Sequence, residues 1–338
     1  MRKLLCRAFL ASTLSLLLAL PQPAFAWGNQ GHEAVAWVAW QQLTPATKLR
    51  VLALLKKVPA LSDEIPGYAE WVSQLPTGLS TDLQNEYLFM RAATWADSIK
   101  HHGLKDSDTP PPGITTDVNI GFSDDASHGY WHFIDTAFAS DAESTPSTPI
   151  PNVATQIAAL RTDIASSEGD TLKAYDMIWL LHLVGDIHQP LHATVRYDGG
   201  SGDAGGNLVK IKLPTTLFTT FKCPTSKFYA PRELHALWDD LPGSCPAETA
   251  LAPAAAFAKA LPKKSDSSTD PDQWAKESFD LAESDAYASP IGPTIQPEDG
   301  TTSYVITKAY YDKAMADAKD RIALAGTRLA NLLNDNLK

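Results

Sequence analysis

Two histidine–aspartate pairs with a spacing of four residues constrain this chain more than any other feature of its sequence. His182 and Asp186 lie among apolar residues, and His235 and Asp239 repeat the spacing. Four residues are roughly one helical turn, so both members of a pair project from one face of a helix. Burying an imidazole and a carboxylate without partners is costly, and a shared metal ion is one way to stabilise them. A single pair of this kind is more often structural than metal-binding.

Further polar residues stand beside aromatic or apolar neighbours, namely His32, His132 and Asp97. Each alone indicates a hydrogen-bonded core residue, but together with the two pairs they favour a site for several metal ions. Histidine nitrogen and carboxylate oxygen suit zinc. His188 and His192 also lie four residues apart, but the proline between them disfavours helix, so His192 is predicted to lie just beyond a helix end.

Apolar periodicity predicts a mainly α-helical chain that forms one domain with a small β-hairpin. Residues 208–213 alternate between apolar and polar side chains, which predicts a half-buried strand, and the glycine-rich stretch before them predicts the hairpin loop. Helices are predicted at residues 31–43, 46–57, 83–99, 153–166, 171–188, 272–286 and 305–334.

The N-terminus has the pattern of a secretory signal peptide. Three basic residues precede an apolar run at 8–20, and Ala24 and Ala26 are the small residues that a signal peptidase requires. The run is too short to span a bilayer, so no membrane anchor is expected. We therefore predict a signal peptide at 1–26, a catalytic domain at 27–338 and a secreted or periplasmic protein that begins at Trp27.

Charge limits the kind of partner that the chain can bind, and its cysteine content agrees with export. The 338-residue chain has a net charge of −11, and without the signal peptide 25 basic residues face 39 acidic ones. Such acidity argues against a broad basic surface for nucleic acid, although metal ions could create a local cationic site. Cys223 and Cys245 are the two cysteines that remain after cleavage, and in an oxidising compartment they predict one disulfide.

Other catalytic signatures are missing from the sequence. Residues 200–205 match G-x-G-x-x-G, but a dinucleotide site requires a strand before the glycines and a helix after them, whereas here a strand is predicted to follow. The chain has neither a G-x-S-x-G nor an H-E-x-x-H motif. A serine hydrolase and a zincin therefore lack their signatures.

Several segments, in the same order along the chain, closely resemble the zinc-dependent S1/P1 nucleases. The resemblance runs from the mature N-terminus to Asp239, and residues 274–278 extend it. It implies a single-domain, multi-helix fold of the phospholipase C/P1 nuclease kind. The matching segments are Trp27-Gly28-Asn29-Gln30-Gly31-His32, Thr94-Trp95-Ala96-Asp97, His132-Phe133-Ile134-Asp135, residues 182–192, Gly205-Gly206-Asn207 and residues 235–239.

The resemblance also implies three Zn²⁺ ions and their ligands. The first ion would be held by Asp97, His132, His182 and Asp186. The second would be held by His192, His235 and Asp239. The third would be held by His32, by Asp186 as a bridge, and by the α-amine and carbonyl of Trp27. A free α-amine at Trp27 exists only after the signal peptide has been removed.

Catalytic and substrate-binding roles are carried over in the same way. Asp97 would orient the attacking water, and Lys100, where many family members have arginine, would neutralise charge on the phosphate. A lysine lacks the bidentate geometry of arginine. Phe133 would stack on a nucleobase and Asp135 would accept from its edge, with Asn207 also in contact with substrate. Stacking requires an unpaired strand, so single-stranded DNA and RNA are the expected substrates.

The resemblance therefore implies a monomeric endonuclease that acts on single-stranded nucleic acid and nucleotides, releases 5′-phosphorylated products and has 3′-nucleotidase activity. Two alternatives stay open. A zinc phospholipase C would hydrolyse a different phosphodiester at a similar cluster, and a non-catalytic exported zinc-binding protein would need the ligands but not Lys100, Phe133 or Asp135.

Overall fold

The computed structural model describes residues 27–100, 120–123, 126–139, 145–166, 168–217, 223 and 230–337. The predicted signal peptide lies outside these residues. In the described part of the chain, the prediction of a mainly α-helical fold is confirmed. Its helices are α1 (Asn29–Gln42), α2 (Pro45–Leu55), α3 (Tyr68–Gln74), α4 (Thr81–Ala92), α5 (Trp95–Ser98), α6 (Val153–Ala165), α7 (Asp170–Asp186), α8 (Leu234–Asp239), α9 (Ala247–Lys259), α10 (Pro271–Leu281) and α11 (Lys308–Asn336).

Helix α7 lies at the centre of the core. Every residue from Ala174 to Asp186 is buried, as expected for a helix with apolar residues on all sides. Helices α1, α2, α6 and α11 pack around it. The C-terminal end of α7, with His182 and Asp186, is thereby enclosed by protein on all sides.

A glycine brings α1 and α11 close together. A Cβ atom at Gly326 would lie 2.5 Å from Val38 Cβ and 2.7 Å from the carbonyl oxygen of Val35. Only glycine permits this approach, since such distances are far inside van der Waals contact. The long α11 therefore supports α1, whose first turn carries His32.

The predicted helix at 83–99 is broken in two. Helix α4 ends at Ala92 and the short α5 begins at Trp95, and Thr94 Oγ1 donates a hydrogen bond to the carbonyl of Arg91 at the break. The break leaves the Ala93 carbonyl free of the helical ladder, and it accepts a bond from His182 Nδ1 at 2.7 Å. Helices α3 and α9 were not predicted at all.

The β-hairpin lies earlier in the chain than predicted. Strand β2 (Val195–Asp198) pairs with β3 (Ser201–Gly202) through Gly199 and Gly200, whose φ values of +58° and +80° suit a tight hairpin turn. Strand β1 (Ala137–Ala139) lies parallel to β2 on its other side, with Ala137 opposite Val195.

Only Ile211–Lys212 of the predicted strand at 208–213 is a strand, β4. It pairs in parallel with β5 (Tyr304–Val305). The predicted alternation is correct, because Val209, Ile211 and Leu213 are buried. The predicted hairpin is present, but residues 208–213 are not its second strand, because Leu208 N–H donates to the Asp203 carbonyl in a turn and Ile211–Lys212 pairs with β5 instead.

The predicted disulfide between Cys223 and Cys245 is present, with a Cα–Cα distance of 5.1 Å. Within the described residues, none of the helices is both long enough and apolar enough to cross a membrane.

Candidate metal centre

Eight buried histidine and aspartate side chains, drawn from distant parts of the chain, form three groups, the first two of which share His182. Within each group, one nitrogen or oxygen of each residue lies within 4.8 Å of the others. These are all the side chains that the sequence singled out as zinc ligands. The groups are His32, Asp97 and His182; His132, His182 and Asp186; and His192, His235 and Asp239.

Both four-residue pairs lie on helices, as predicted. On α7, His182 Nε2 lies 3.4 Å from Asp186 Oδ1, and on α8, His235 Nε2 lies 3.5 Å from Asp239 Oδ2. Tetrahedral ligands placed at the usual zinc distances are about 3.3 Å apart. Each helix therefore presents two ligand atoms at a spacing that suits one zinc ion.

His132 and Asp97 lie close to the α7 pair of His182 and Asp186. His132 Nδ1 lies 3.0 Å from Asp186 Oδ2 and 3.1 Å from His182 Nε2. Asp97 Oδ1 lies 3.5 Å from His182 Nε2. His132, His182 and Asp186 thus bring three ligand atoms within 4.8 Å of one another, and Asp97 lies beside two of them.

His32 and Trp27 bring the mature N-terminus to the same place. His32 Nε2 lies 3.3 Å from Asp186 Oδ1, and its ring stacks on that of His182 with centroids 3.8 Å apart. Trp27 is completely buried, and the next residue, Gly28, donates its N–H to the carbonyl of Asp239 at 2.9 Å. The first residue of the predicted mature chain is therefore held beside the cluster.

His192 and His235 show most clearly what the cluster requires. His192 Nδ1 is 2.8 Å from the His132 carbonyl and His235 Nδ1 is 2.7 Å from the Gly205 carbonyl, so each Nδ1 carries the proton that it donates. The two Nε2 atoms then present lone pairs to each other at 2.9 Å. Two acceptors facing each other repel unless a proton or a metal ion lies between them, and carbonyl-bonded imidazoles of this kind are typical metal ligands.

Burial of the ionisable groups leads to the same conclusion. Both ring nitrogens of His32 and Oδ1 of Asp186 are buried without a hydrogen-bond partner among the described residues. Burial raises the pKa of Asp186 to about 8 and that of Asp239 well above its ordinary value. A cation beside these carboxyls would favour their ionised form.

Two of the histidines, His32 and His132, are held in the neutral form that binds metal. Burial, reinforced by His182, lowers the pKa of His32 well below its ordinary value, and burial with Lys100 does the same for His132. His182 differs, because Asp186 and Asp97 outweigh burial and raise its pKa. The donor set, spacing and protonation fit zinc.

Lys100 is buried beside Asp97. Its Nζ lies 3.0 Å from Asp97 Oδ1, one turn along the chain. Burial alone would raise the pKa of Asp97, but Lys100 together with His182 and His132 outweighs it and holds the pKa well below its usual range. Asp97 is therefore a carboxylate, and Lys100 adds positive charge at the edge of the cluster.

The segment that carries Phe133 and Asp135 connects His132, of the group with His182 and Asp186, to His192, of the group with His235 and Asp239. Ile134 N–H donates to the carbonyl of His192 at 2.8 Å, and the carbonyl of Phe133 accepts from Val153 N–H at 3.0 Å. Phe133 and Asp135 are both half-buried. The two predicted base-binding residues therefore flank Ile134, one and three positions after His132.

Asn207 lies in the turn that supports His235. The carbonyl of the preceding Gly206 accepts from His235 N–H, whereas the Asn207 side chain donates from Nδ2 to the Ala204 carbonyl at 2.8 Å. Gly205 has a φ of +59°, and a Cβ there would lie 2.6 Å from the Leu191 carbonyl, so this turn requires glycine.

The structure also shows two residues whose roles were not predicted. Gln189 is completely buried and donates from Nε2 to Asp239 Oδ1 at 2.7 Å. Gly185 lies where any Cβ would come within 2.9 Å of His32 Nδ1. A buried glutamine between two histidines was the available signal for the first. His188 instead turns away from the cluster and accepts from Arg328 Nη1.

Comparison with known proteins agrees with the site. The S1/P1 Nuclease family model matches residues 27–338. The chain is 25% identical to Nuclease S1 of Aspergillus oryzae over 94% of each chain. It is also 25% identical to Endonuclease 4 of Arabidopsis thaliana, over 67% of this chain and 58% of the relative.

Endonuclease 3 of Arabidopsis thaliana is 26% identical over 47% of this chain and 50% of the relative. The chain therefore spans nearly all of the fungal relative but only half or somewhat more of the two plant relatives. The family match covers the whole predicted mature chain, including every residue of the buried cluster. The chain belongs to the S1/P1 nuclease family of zinc-dependent phosphodiesterases.

Proposed function

We propose that this nuclease hydrolyses single-stranded DNA and RNA to 5′-phosphorylated products, has 3′-nucleotidase activity, and acts as a secreted or periplasmic monomer. The observation that carries the proposal is the pair of facing Nε2 lone pairs of His192 and His235, 2.9 Å apart within a cluster of eight buried ligands. Phe133, directly beside that cluster, supplies an aromatic face for a base. The signal-peptide pattern and the disulfide support export.

The proposed cofactor is three zinc ions. Asp97, His132, His182 and Asp186 would hold the first, His192, His235 and Asp239 the second, and His32, Asp186 and the main chain of Trp27 the third. Support comes from the convergence of the first two sets at zinc-like spacing and from the burial of Trp27 beside Asp239. Export and cleavage after Ala26 would create the α-amine that the third ion needs.

Charge explains how an acidic protein could bind a phosphodiester. Three zinc ions would bring six positive charges to a site that holds three aspartates, and Lys100 adds one more. Within a pocket of low dielectric constant, this excess of positive charge attracts phosphate even though the whole chain is negative.

In the reaction, a water oxygen bonds to phosphorus while the bond from phosphorus to the 3′ oxygen breaks. One product then carries a 3′-hydroxyl and the other a 5′-phosphate. Bound zinc supplies Lewis acidity, which makes water nucleophilic near neutral pH and offsets charge on the phosphate. Asp97, held ionised by Lys100, accepts a hydrogen bond from the water and orients it, and Lys100 approaches the phosphate oxygens.

Phe133 and Asp135 would hold the base next to the scissile bond. A half-buried phenylalanine can stack on any base, which would allow cleavage without sequence preference. The neighbouring carboxylate of Asp135 would accept from an amino group of the base. Duplex DNA keeps its bases stacked and paired, so it should be a poor substrate.

The deciding experiment uses protein secreted and cleaved to begin at Trp27. It is incubated with single-stranded DNA, single-stranded RNA and a 3′-mononucleotide, with and without a chelator, and product ends are identified by mass spectrometry. We expect 5′-mononucleotides and free nucleoside, lost with chelator and restored by zinc. A matched protein with one extra residue before Trp27 should bind less zinc.

Other results would contradict the proposal. Products with 3′-phosphate ends would overturn the bond assignment. Hydrolysis of phosphatidylcholine vesicles without nucleic acid cleavage would identify a zinc phospholipase C. Zinc binding with no turnover on either substrate would leave a non-catalytic zinc-binding protein.

Gly185→Ala tests whether His32 is a ligand. The new Cβ would lie 2.9 Å from His32 Nδ1, and His32 cannot retreat because it stacks on His182. We expect zinc affinity at one site to fall by about tenfold or more. Gly169→Ala, at the start of the same helix with nothing within 4 Å of the new Cβ, is the control. If His32 bound nothing, Gly185→Ala would leave zinc content unchanged in a dialysis assay.

Asp97→Asn tests the orientation of the water. The amide keeps an oxygen for zinc but loses the negative charge, so we expect kcat to fall by roughly 10²–10⁴-fold with most zinc retained. Asp170→Asn, which alters an exposed partner of Arg50, should have normal kcat. Wild-type turnover in Asp97→Asn would remove this residue from the mechanism.

Phe133→Ala tests the base site. Loss of stacking worth about 1–3 kcal/mol per base corresponds to a rise of roughly fivefold to 150-fold in KM for dinucleotides. Phe138→Ala, on β1 against Phe279 and Tyr287, removes a similar half-buried ring away from the cluster and should leave KM unchanged. An unchanged KM in Phe133→Ala would place the base elsewhere.

A further inference from the structure

The seven residues from Asp186 to His192 connect the group of His132, His182 and Asp186 with the group of His192, His235 and Asp239. Asp186 ends α7 and belongs to the former group, whereas His192 lies in the 3₁₀ turn Pro190–His192 and belongs to the latter. The conformation of the residues between them therefore determines how far apart the two groups lie.

Gln189, in the middle of this segment, uses three of its four polar atoms there. Its N–H donates to the Asp186 carbonyl at 2.9 Å, and its own carbonyl accepts from His192 N–H at 3.0 Å. Its side-chain Oε1 accepts from Leu191 N–H at 2.6 Å, which caps the turn. One residue thus determines the local geometry from Asp186 to His192.

The orientation of the Gln189 amide follows from its neighbours. Leu191 N–H can only donate, so the side-chain atom facing it must be Oε1. Nε2 is left to donate to Asp239 Oδ1, at 2.7 Å. Gln189 therefore links the turn of His192 to Asp239 on α8, fifty positions along the chain.

This bond leaves one particular oxygen of Asp239 for a metal. Oδ2, the atom that Gln189 does not occupy, is the one that lies 3.5 Å from His235 Nε2. A neutral amide can satisfy Oδ1 of a buried carboxylate without bringing a positive charge that would compete with a metal ion. Gln189 thus favours binding through one oxygen.

Side chains of α10 and α11 hydrogen-bond to the main chain just before Gln189. Ser278 Oγ donates to the Ile187 carbonyl at 2.6 Å, and Arg321 Nε donates to the His188 carbonyl at 3.3 Å. Arg328 donates to His188 Nε2 at 2.9 Å, and both arginines pair with Glu277. This network gives a structural role to residues 274–278 and keeps Gln189 from shifting.

We propose that Gln189 is a positioning residue that holds Asp239 for binding through Oδ2 and thereby sets the zinc affinity of the group formed by His192, His235 and Asp239. The inference rests on the proposed assignment of that group to zinc. It acts through Asp239, so its effect should disappear when Asp239 is removed.

The test measures zinc binding by competition with a chromophoric chelator, using purified full mature protein, and does not depend on turnover. Gln189→Met keeps the length of the side chain but removes both hydrogen bonds. We expect one class of zinc to bind about 10–100-fold more weakly, with the other zinc unaffected. The matched control is Gln156→Met, which changes a buried glutamine on α6 that belongs to none of the three groups.

A double-mutant cycle separates positioning from general loosening of the fold. In an Asp239→Ala background, Gln189→Met should weaken zinc binding by less than about threefold, because the residue it acts on is gone. An undiminished effect in that background, or unchanged zinc affinity in the single variant, would overturn the proposal. If wild-type protein bound no zinc at all, the metal assignment itself would fail. That result differs from failure of the role proposed for Gln189, in which wild-type protein binds zinc but the variants do not change its affinity as expected.

Gln189→Asn covers the case in which the methionine variant does not fold. Its amide keeps the buried position polar but is one methylene too short to reach both Leu191 N–H and Asp239 Oδ1. The expected loss of zinc affinity is in the same direction, and thermal unfolding of the zinc-free protein verifies that the variant is folded. A folded Gln189→Asn protein with wild-type zinc affinity would also overturn the proposal.

Discussion

The structure is governed by one constraint, which is that the protein core must keep eight ionisable side chains out of water. Burial without compensation would cost more free energy than a domain of this size can spare. The carbonyl bonds to Nδ1 of His182, His192 and His235 determine which ring nitrogen faces inward. Once those rings are oriented, their lone pairs meet, and a cation is the partner that satisfies them.

The helical fold provides this arrangement by simple means. Helices α7 and α8 each contribute a pair with a spacing of one turn, and the remaining ligands come from the ends of helices or the turns between them. The break between α4 and α5 exposes the carbonyl that orients His182. Glycines at 185, 205 and 326 let α1, α7, α11 and the turn at 204–207 approach one another closely enough. The helix break and the closely packed glycines therefore position the ligands, whereas the regular helices hold these parts of the chain in place.

The long helices were predicted from periodicity because their apolar residues follow a period that a single sequence displays. Residues 174–186 are instead a long, nearly continuous apolar run that ends before Pro190, and its length indicated a buried helix that carries the His182–Asp186 pair. Helix α9 was missed because it is rich in alanine, contains Pro253 and lacks a clear polar face. The predicted strand at 208–213 was too long. Buried and exposed side chains alternate there, but the N–H of Leu208 donates to the Asp203 carbonyl within a turn. The predicted alternation of buried and exposed side chains was correct, but the sequence does not show that Ile211–Lys212 pairs with Tyr304–Val305.

The sequence by itself determined which residue types lie one helical turn apart, where the mature chain is expected to begin, and which family motifs the chain carries. Those properties depend on local spacing and composition, which are present in the order of the residues. The family resemblance implied that His132 and Asp186 share one ion and that His192 and His235 share another, but only the tertiary structure gave the contacts between them and the contact of Gln189 with Asp239. These contacts join residues that are 43 to 54 positions apart. Such long-range distances are set by the packing of whole helices, and no local pattern in the chain encodes them.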